Sequence, residues 1–542
     1  MVPGYYNVWA HQQLEHPPLR EQPAYNSAEE PNISIVVPAF NTPKRYLYPL
    51  VYSIVSQAYH NWELVLVNAS DQPGSRDTIN KCADIDKRIK VIEIENGGIS
   101  TNTNVGIKES SGNYIAFADH DDTLDPFALQ EMANAIVNQG ADLVYSDEDK
   151  ISDNGEIYFD PHFKPDWSPD LLTHLNYINH LSVIKKELII KAGLLNPARD
   201  GAQDYDLLLR VTDLEPKIVH VPKVLYHWRA ARNSTAQDFS SKKHITNAGR
   251  QNLEDHFRRV GVIAKVVPEN QKPGFYEVRF EPIKKVSVVI MPFASDALLR
   301  LFVELLIKRS KLTGLSIELF VPNGVQPRSE YSNITVKAID NNPKYLGNSL
   351  AASTSAETVI INQIALPISK DWLQGLCAPL RLKHVGAVAP LIVRDGMVIE
   401  DCGLVLAAPN EYLPLFRNHG ACNVQTYFGN TDWVRDVDAL SGGVTAARTK
   451  ELREFINANP KITSASLITG FTKANKARSR HNVLNAKVTL DNYSIRFAPK
   501  DDIISTHFSS SILIVGMDFE PYTPESIATN ILMQIADQEK IL

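Results

Sequence analysis

Between Ile33 and Ala118 four short apolar runs alternate with helical stretches, and this alternation constrains the fold more than any other feature. Ile33 to Val37, Trp62 to Val67, Ile89 to Ile94 and Tyr114 to Ala118 read as strands. Arg45 to Gln57, Thr78 to Asp84 and Ile99 to Lys108 read as the helices between them. Strands separated by helices predict βαβ units and a parallel sheet with right-handed crossovers. Ligands in such sheets bind beyond the carboxyl ends of the strands. The polar residues after strands one, two and four therefore converge on one edge: Asn41 and Thr42, then Asn68 to Asp71, then Asp119 to Asp122.

The fourth strand ends abruptly in Asp119-His120-Asp121-Asp122. Carboxylates crowded at a sheet edge repel one another unless a cation neutralises them. A hard divalent ion, Mg²⁺ or Mn²⁺, suits such oxygen ligands and leaves positions open for phosphate. The plainer reading is an acidic turn in which Asp122 or Asp125 caps the next helix.

Further along, Phe127 to Asn138 reads as a helix and Asp142 to Ser146 as a strand ending in Asp147, Glu148 and Asp149. A loop-rich, aromatic stretch follows, FDPHFKPDWSPDLL and then NYINHLSVI. Trp167 and its neighbours either line a binding site or pack under the loop. Gln203-Asp204 opens the apolar helix DLLLRV, where Asp204 reads equally as an N-cap. Val224 to Arg229 forms a strand, within which His227 is a metal ligand or a structural histidine; Asn233, Ser234 and Thr235 follow it, and a basic helix spans Lys242 to Val260.

SIVVPAFNTP, WELVLVNASD, NGGISTNTNVGIKESSGNYIAFADHDD, YSDEDKI, FKPDWSPDLL, GAQDYDLLLRV and VLYHWR occur in that order over residues 31 to 260. Together they resemble a family 2 nucleotide-sugar glycosyltransferase of GT-A fold, similar to bacterial transferases that build O-antigen, rhamnan and other surface polysaccharides. The resemblance implies that Asp119 and Asp121 are the DxD pair that holds Mg²⁺ or Mn²⁺ against the donor diphosphate. It implies that Asp204 is the catalytic base and His227 a metal or diphosphate contact. Pro38, Phe40, Asn68, Asp71, Asn102, His120 and Asp121 fall on the donor side by the same likeness. Trp167, Asp147, Gln203, Trp228 and Arg229 are the acceptor-side candidates. Gln203 stands where the family more often has Glu, and Asn68-Ala69 where it commonly has an Asp pair. The Gln-x-x-Arg-Trp motif of processive synthases is absent, so one or a few additions are expected. Family 2 members invert by a single in-line displacement, which needs one base. The implied donor is a UDP- or dTDP-sugar, with rhamnose as one choice, and the implied acceptor a growing, lipid-linked glycan.

Past Lys272-Pro273-Gly274, read as a linker, the pattern restarts. KVSVVIMPFA (285–294) mirrors NISIVVPAFN, and LSIELFVPNG (315–324) mirrors WELVLVNASD. Self-similarity on this scale marks a repeated unit. Asp119-His120-Asp121 falls on about Gln363-Ile364-Ala365, so the carboxylates are gone. The expected organisation is an N-terminal leader (1–30) packing on the first domain through a short helix near Tyr5 to Gln13, and a catalytic GT-A domain (31–270). A second GT-A-like domain without the DxD motif (284–500) and a tail with a strand and a helix (501–542) complete it. The second domain would hold the acceptor or pair subunits in a homo-oligomer.

The net charge of −7 and the lack of a Lys/Arg block argue against nucleic acid as a partner. Four scattered cysteines, at 82, 377, 402 and 422, lack metal-ligand spacing and suit a reducing compartment. No signal peptide and no run of roughly 18 apolar residues is visible. The expected location is the cytoplasm, with peripheral contact at the inner face of the membrane. Two other readings are a carbohydrate-binding scaffold and a nucleotidyltransferase; the latter calls for a Gly-rich phosphate loop, and Ala39 to Pro43 is none.

Overall fold

The computed structural model describes residues 3–15, 30–230 and 239–492, with short breaks at 270–271, 311–312, 329–330, 395–396, 409–410, 422–424, 427–428, 432, 461, 463 and 478–480. Asn233 to Thr235, Cys422 and the expected tail elements lie outside the described residues. The chain divides into two units near residue 280.

The first unit begins with α1 (Pro3–Glu15), β1 (Ile33–Ala39), α2 (Lys44–Val55), β2 (Trp62–Asn68), α3 (Pro73–Asn80), β3 (Ile89–Glu93), α4 (Ile99–Glu109) and β4 (Tyr114–Phe117). It continues through β5 (Thr123–Leu124), α5 (Ala128–Gln139), β6 (Leu143–Ser152), β7 (Tyr158–His162), α6 (Pro169–Leu172), β8 (Ser182–Lys185), α7 (Lys186–Lys191), α8 (Gln203–Thr212), β9 (Ile218–Ala230), α9 (Phe239–Arg259), β10 (Ala264–Pro268) and β11 (Tyr276–Phe280). The sheet order is β3-β2-β1-β4-β8-β6-β9-β5, with β7 on β6. β1 is buried on both faces, as a strand covered by helices must be. Helix α4 reaches the sheet through Gly106, where a Cβ would stand 2.5 Å from Val36 Cγ1.

The expected strands and helices are present, with four differences. The sheet is mixed: β8 runs antiparallel to both β4 and β6. β6 does not stop before its acids but continues through them to Ser152, paired with β9. Two runs read as separate strands, 218–221 and 224–229, are the single strand β9. The expected linker at Lys272-Pro273-Gly274 is the turn of the β10-β11 hairpin, with Gly274 at φ 85°. Helix α1 packs on β7 as expected of the leader; Tyr6 is buried and donates to Asp149 Oδ2 at 2.6 Å.

The second unit contains β12 (Lys285–Ile290), α10 (Asp296–Arg309), β13 (Ser316–Pro322), β14 (Ile334–Ile339), α11 (Tyr345–Ala352), β15 (Glu357–Ile361), β16 (Ala365–Pro367), α12 (Trp372–Cys377), β17 (Val385–Arg394) and β18 (Val398–Asp401). Five short strands follow, β19 (Leu404–Ala408), β20 (Glu411–Pro414), β21 (Gln425–Thr426), β22 (Gly429–Asn430) and β23 (Arg435–Val437). It closes with β24 (Val444–Arg448), α13 (Thr449–Ala458), α14 (Ser464–Ala477) and β25 (His481–Asn492). Its order, β14-β13-β12-β15-β24-β17-β25-β16 with β18 on β17, repeats that of the first unit strand for strand.

The two sheets share a lock at the amino ends of their strands. In the first, Ser34 Oγ donates to Glu63 Oε1 at 2.5 Å, and that oxygen also accepts from Gly112 N at 3.2 Å. In the second, Ser287 Oγ donates to Glu318 Oε2 at 3.0 Å, which accepts from Thr354 N at 2.8 Å. Buried carboxylates need such donors. Placing Ser287 on Ser34, the strand registers put Asn362 on Asp119, one residue earlier than the sequence comparison did.

Candidate active site

The acidic turn after β4 is held from β9. Asp119 N donates to the Tyr226 hydroxyl at 3.1 Å, and that hydroxyl donates to Asp122 Oδ2 at 2.5 Å. Arg229 N donates to Asp122 Oδ1 at 2.7 Å, and Arg229 Nε to the Asp121 carbonyl at 2.6 Å. Asp122 is fully buried, and burial, reinforced by Asp119 and Asp121, pushes its carboxyl well above the usual range. It pins the turn and does not cap α5; Asp125 Oδ1 accepts from Phe127 N there.

Asp119 and Asp121 remain on the open side. The Asp119 side chain is 47% exposed, and the His180 ring lies beside it, with Nε2 3.7 Å from Oδ2. Asp121 is raised by burial, eased by His120 and raised again by Asp119; His120 Nδ1 lies 3.8 Å from Asp121 Oδ1. Two adjacent carboxylates without a Lys or Arg ion pair among the described residues fit a divalent cation that keeps several of its positions for water and phosphate. His227 does not join them: among the described residues no three His, Cys, Asp or Glu side chains stand close enough to hold an ion. Its Nδ1 is 2.6 Å from Asp149 Oδ1, and Asp149 also receives Tyr6. Its neighbour Tyr226 takes the opposite face of β9, as strand geometry requires.

Asp204 lies in the first turn of α8, but the N-cap is Ala202, without a side-chain cap, so the capping role does not hold. Asn179 Nδ2 donates to Asp204 Oδ2 at 2.6 Å, and Asn176 Nδ2 to the same oxygen at 3.1 Å. Burial raises the Asp204 carboxyl above its ordinary value. Gln203 Oε1 accepts from Gly201 N at 2.7 Å, at the mouth of the same helix.

His180 connects the two acidic centres. Its ring stacks on Tyr226 with centroids 4.9 Å apart, and its backbone N–H donates to Glu148 Oε2 at 2.6 Å. Its Nε2 is 3.3 Å from Asn179 Nδ2. Asn176, Asn179 and His180 escaped the sequence reading because β8 is antiparallel: the residues before it, not after it, reach the edge where β4 ends. The dense polar signal in NYINH was the available clue.

A pocket of about 650 Å³ joins these groups. Asp119, Asn179, His180, Gln203 and Asp204 are on its wall, with Pro38, Val36, Phe117, Ile184 and Leu207 supplying apolar surface. Pro38 is thus at the site, and Phe40 is exposed. Asp71 Oδ1 accepts from Asn41 Nδ2 at 2.6 Å on the neighbouring loop. Asn68 is fully buried and holds the Arg76 carbonyl and Asn80, while Asn102 holds Gly97 and Asn96; both brace loops instead of facing a ligand. Asp147 is buried, with Oδ1 accepting from Lys164 N and 2.9 Å from His220 Nε2, and is not on the pocket wall. Arg229 is buried as the clamp of the acidic turn. Trp228 is exposed under Lys150, and Trp167 is half-buried.

A family model described as Glycosyl transferase family 2 matches residues 34–191. The uncharacterized protein y4gI of Sinorhizobium fredii is 34% identical over 399 residues, 69% of this chain and 43% of its own. The O-antigen biosynthesis protein RfbC of Myxococcus xanthus is 29% identical over 455 residues, 78% of this chain and 35% of its own. The solved structure of TarS from S. aureus matches at 20% identity with a TM-score of 0.32, covering 42% of this chain and 43% of TarS. The chain spans less than half the length of either curated relative. The match falls within the first unit, and residues 34–191 form a glycosyl transferase family 2 domain.

Proposed function

We propose that the first unit transfers a sugar from a UDP- or dTDP-activated donor, rhamnose among the candidates, to a hydroxyl of a growing, lipid-linked bacterial surface glycan. The observation that carries this reading is the single pocket shared by Asp119 and Asp204. The name of the RfbC relative supports a surface polysaccharide as the product class. Among the described residues no helix is long and apolar enough to cross a membrane.

Asp204 takes the proton from the acceptor hydroxyl, which is a poor nucleophile without a positioned base. The acceptor oxygen bonds to the anomeric carbon as the bond to the diphosphate breaks, with inversion. A carboxylate raised by burial is a better proton acceptor than one in water. Asp119 and Asp121 would hold Mg²⁺ or Mn²⁺, which when bound offsets the charge of the departing diphosphate. Pro38 and Phe117 exclude water from one wall. The second unit has Asn362 for Asp119, and 459–477 contains no acid where α14 corresponds to α8, which supports a non-catalytic role.

Calorimetry with UDP-, dTDP- and GDP-sugars, with and without Mn²⁺, tests the donor side. Asp204→Asn is expected to bind donor as the parent does and to lose transfer. Normal transfer by that variant would overturn the assignment.

A further inference from the structure

We propose that Asn176 and Asn179 are positioning residues for the base: together they grip Asp204 by Oδ2 and turn Oδ1 toward the acceptor hydroxyl. The inference rests on the reading of Asp204 given above.

Three observations carry it. Both amides converge on one oxygen of Asp204, at 3.1 and 2.6 Å. Asn176 keeps its own amide oxygen buried without a partner, an arrangement that costs stability and is maintained while Nδ2 serves Asp204. Turning the amide over would set its oxygen against the carboxylate, so chemistry fixes its orientation. The third is the internal repeat. Register through β4-β8 and β15-β24 places Gly442 on Asn179 and Gly443 on His180. The half that lacks an acid at the start of α14 thus also lacks the amide that grips it, although the Ser–Glu lock and the strand order are kept. A merely structural role for Asn179 gives no reason for the two to disappear together.

Amide donors stabilise the ionised carboxylate. The other titratable groups around Asp204 are His180 beside it, Asp119 across the pocket, its neighbour Tyr205 and Tyr276 from β11, while His244 from α9 lines the same pocket. His180 favours ionisation and Asp119 opposes it.

The test uses the full chain with Mn²⁺, following nucleoside diphosphate release to water from UDP-N-acetylglucosamine and dTDP-rhamnose. Asn176→Ala and Asn179→Ala are each expected to lower kcat about tenfold and the pair about a hundredfold. Donor KM and the calorimetric affinity for the same nucleotide sugar stay within about twofold, since the lost contact is to the base. The acidic limb of the kcat profile moves up by about one pH unit, because a carboxylate without its donors ionises at higher pH. Asn179→Asp keeps the shape but sets a second carboxylate on Asp204, and is expected to be slower than Asn179→Ala. If Asp204→Asn is slow while the Asn variants match the parent in rate and pH profile, the clamp is refuted and the base stands. If Asp204→Asn matches the parent, the base itself is refuted and the clamp with it.

Discussion

Replacing Glu148 by Gln probes the buried charge beneath the site. Lys164 Nζ stands 3.4 Å from Glu148 Oε2, with its side chain 0% and that of Glu148 16% exposed. The rings of His162 and His180 are each 3.8 Å away. Burial pushes the Glu148 carboxyl up, but Lys164, then His162 and His180, outweigh it and hold the group at about 2, against an ordinary 4.5. That gap corresponds to about 3 kcal/mol of stabilisation. The full figure is an upper bound, because burial draws Lys164 below its usual value even with Glu148 beside it. A depressed carboxyl contributes stability that is complete above the unfolded value near 4.5 and is lost as pH falls toward 2. At pH 7, Glu148→Gln leaves a buried ammonium without its partner, and the cost expected is about 3 kcal/mol. Lys164→Met should cost a similar amount, while the double variant should cost clearly less than the two combined. Amide hydrogen exchange over β6 and β8 reads this locally in a chain whose two units need not unfold together. Protection there should fall about a hundredfold in each single variant. A loss under about fivefold, or strict additivity in the double variant, would show that the ion pair does not hold this part of the sheet.

Asp204→Asn should cut transfer by roughly a thousandfold and yet raise the stability of the first unit, because burial disfavours the charge it removes; a thermal melt beside the rate assay checks both signs. Asp121→Ala should abolish the Mn²⁺-dependent part of donor binding in calorimetry while leaving circular dichroism unchanged. Tyr226→Phe deprives Asp122 Oδ2 of its donor and Asp119 N of its acceptor, for a loss of about 1–3 kcal/mol; an unchanged melting temperature and donor affinity would mean the turn holds without the hydroxyl. Glu318→Gln breaks the lock of the second sheet, where Lys337 lies 2.8 Å away and polar donors hold the carboxyl well below its usual range. Exchange should accelerate over β12 and β15, with donor affinity of the first unit unaltered.

Local chemistry was enough to announce much of this protein. Apolar runs bounded by polar residues located β1, β2 and β4, because burial on both faces leaves a continuous signal in the chain; β3, at the sheet edge, showed as an alternating run. The repeat announced a second sheet of the same order, and the loss of Asp119 and Asp121 from it was readable directly. The direction of β8 was not, since a four-residue strand carries no mark of which way it runs; its neighbours β4 and β6 decide that. With the direction came Asn176, Asn179 and His180, which reach the site only because that strand enters the sheet from the active edge. The same limit separates Asp119 from Asp147, both acids beside strands: one faces a pocket, the other is closed in by Lys164 N and His220. Arg229 and His227 looked like ligand residues and are a clamp and an Asp149 partner, because cross-strand register assigns partners that lie about eighty to a hundred positions apart in the chain. Sequence determined which runs build the sheet and which chemistry is present; the packing of distant strands determined which polar groups are buried and which of them meet.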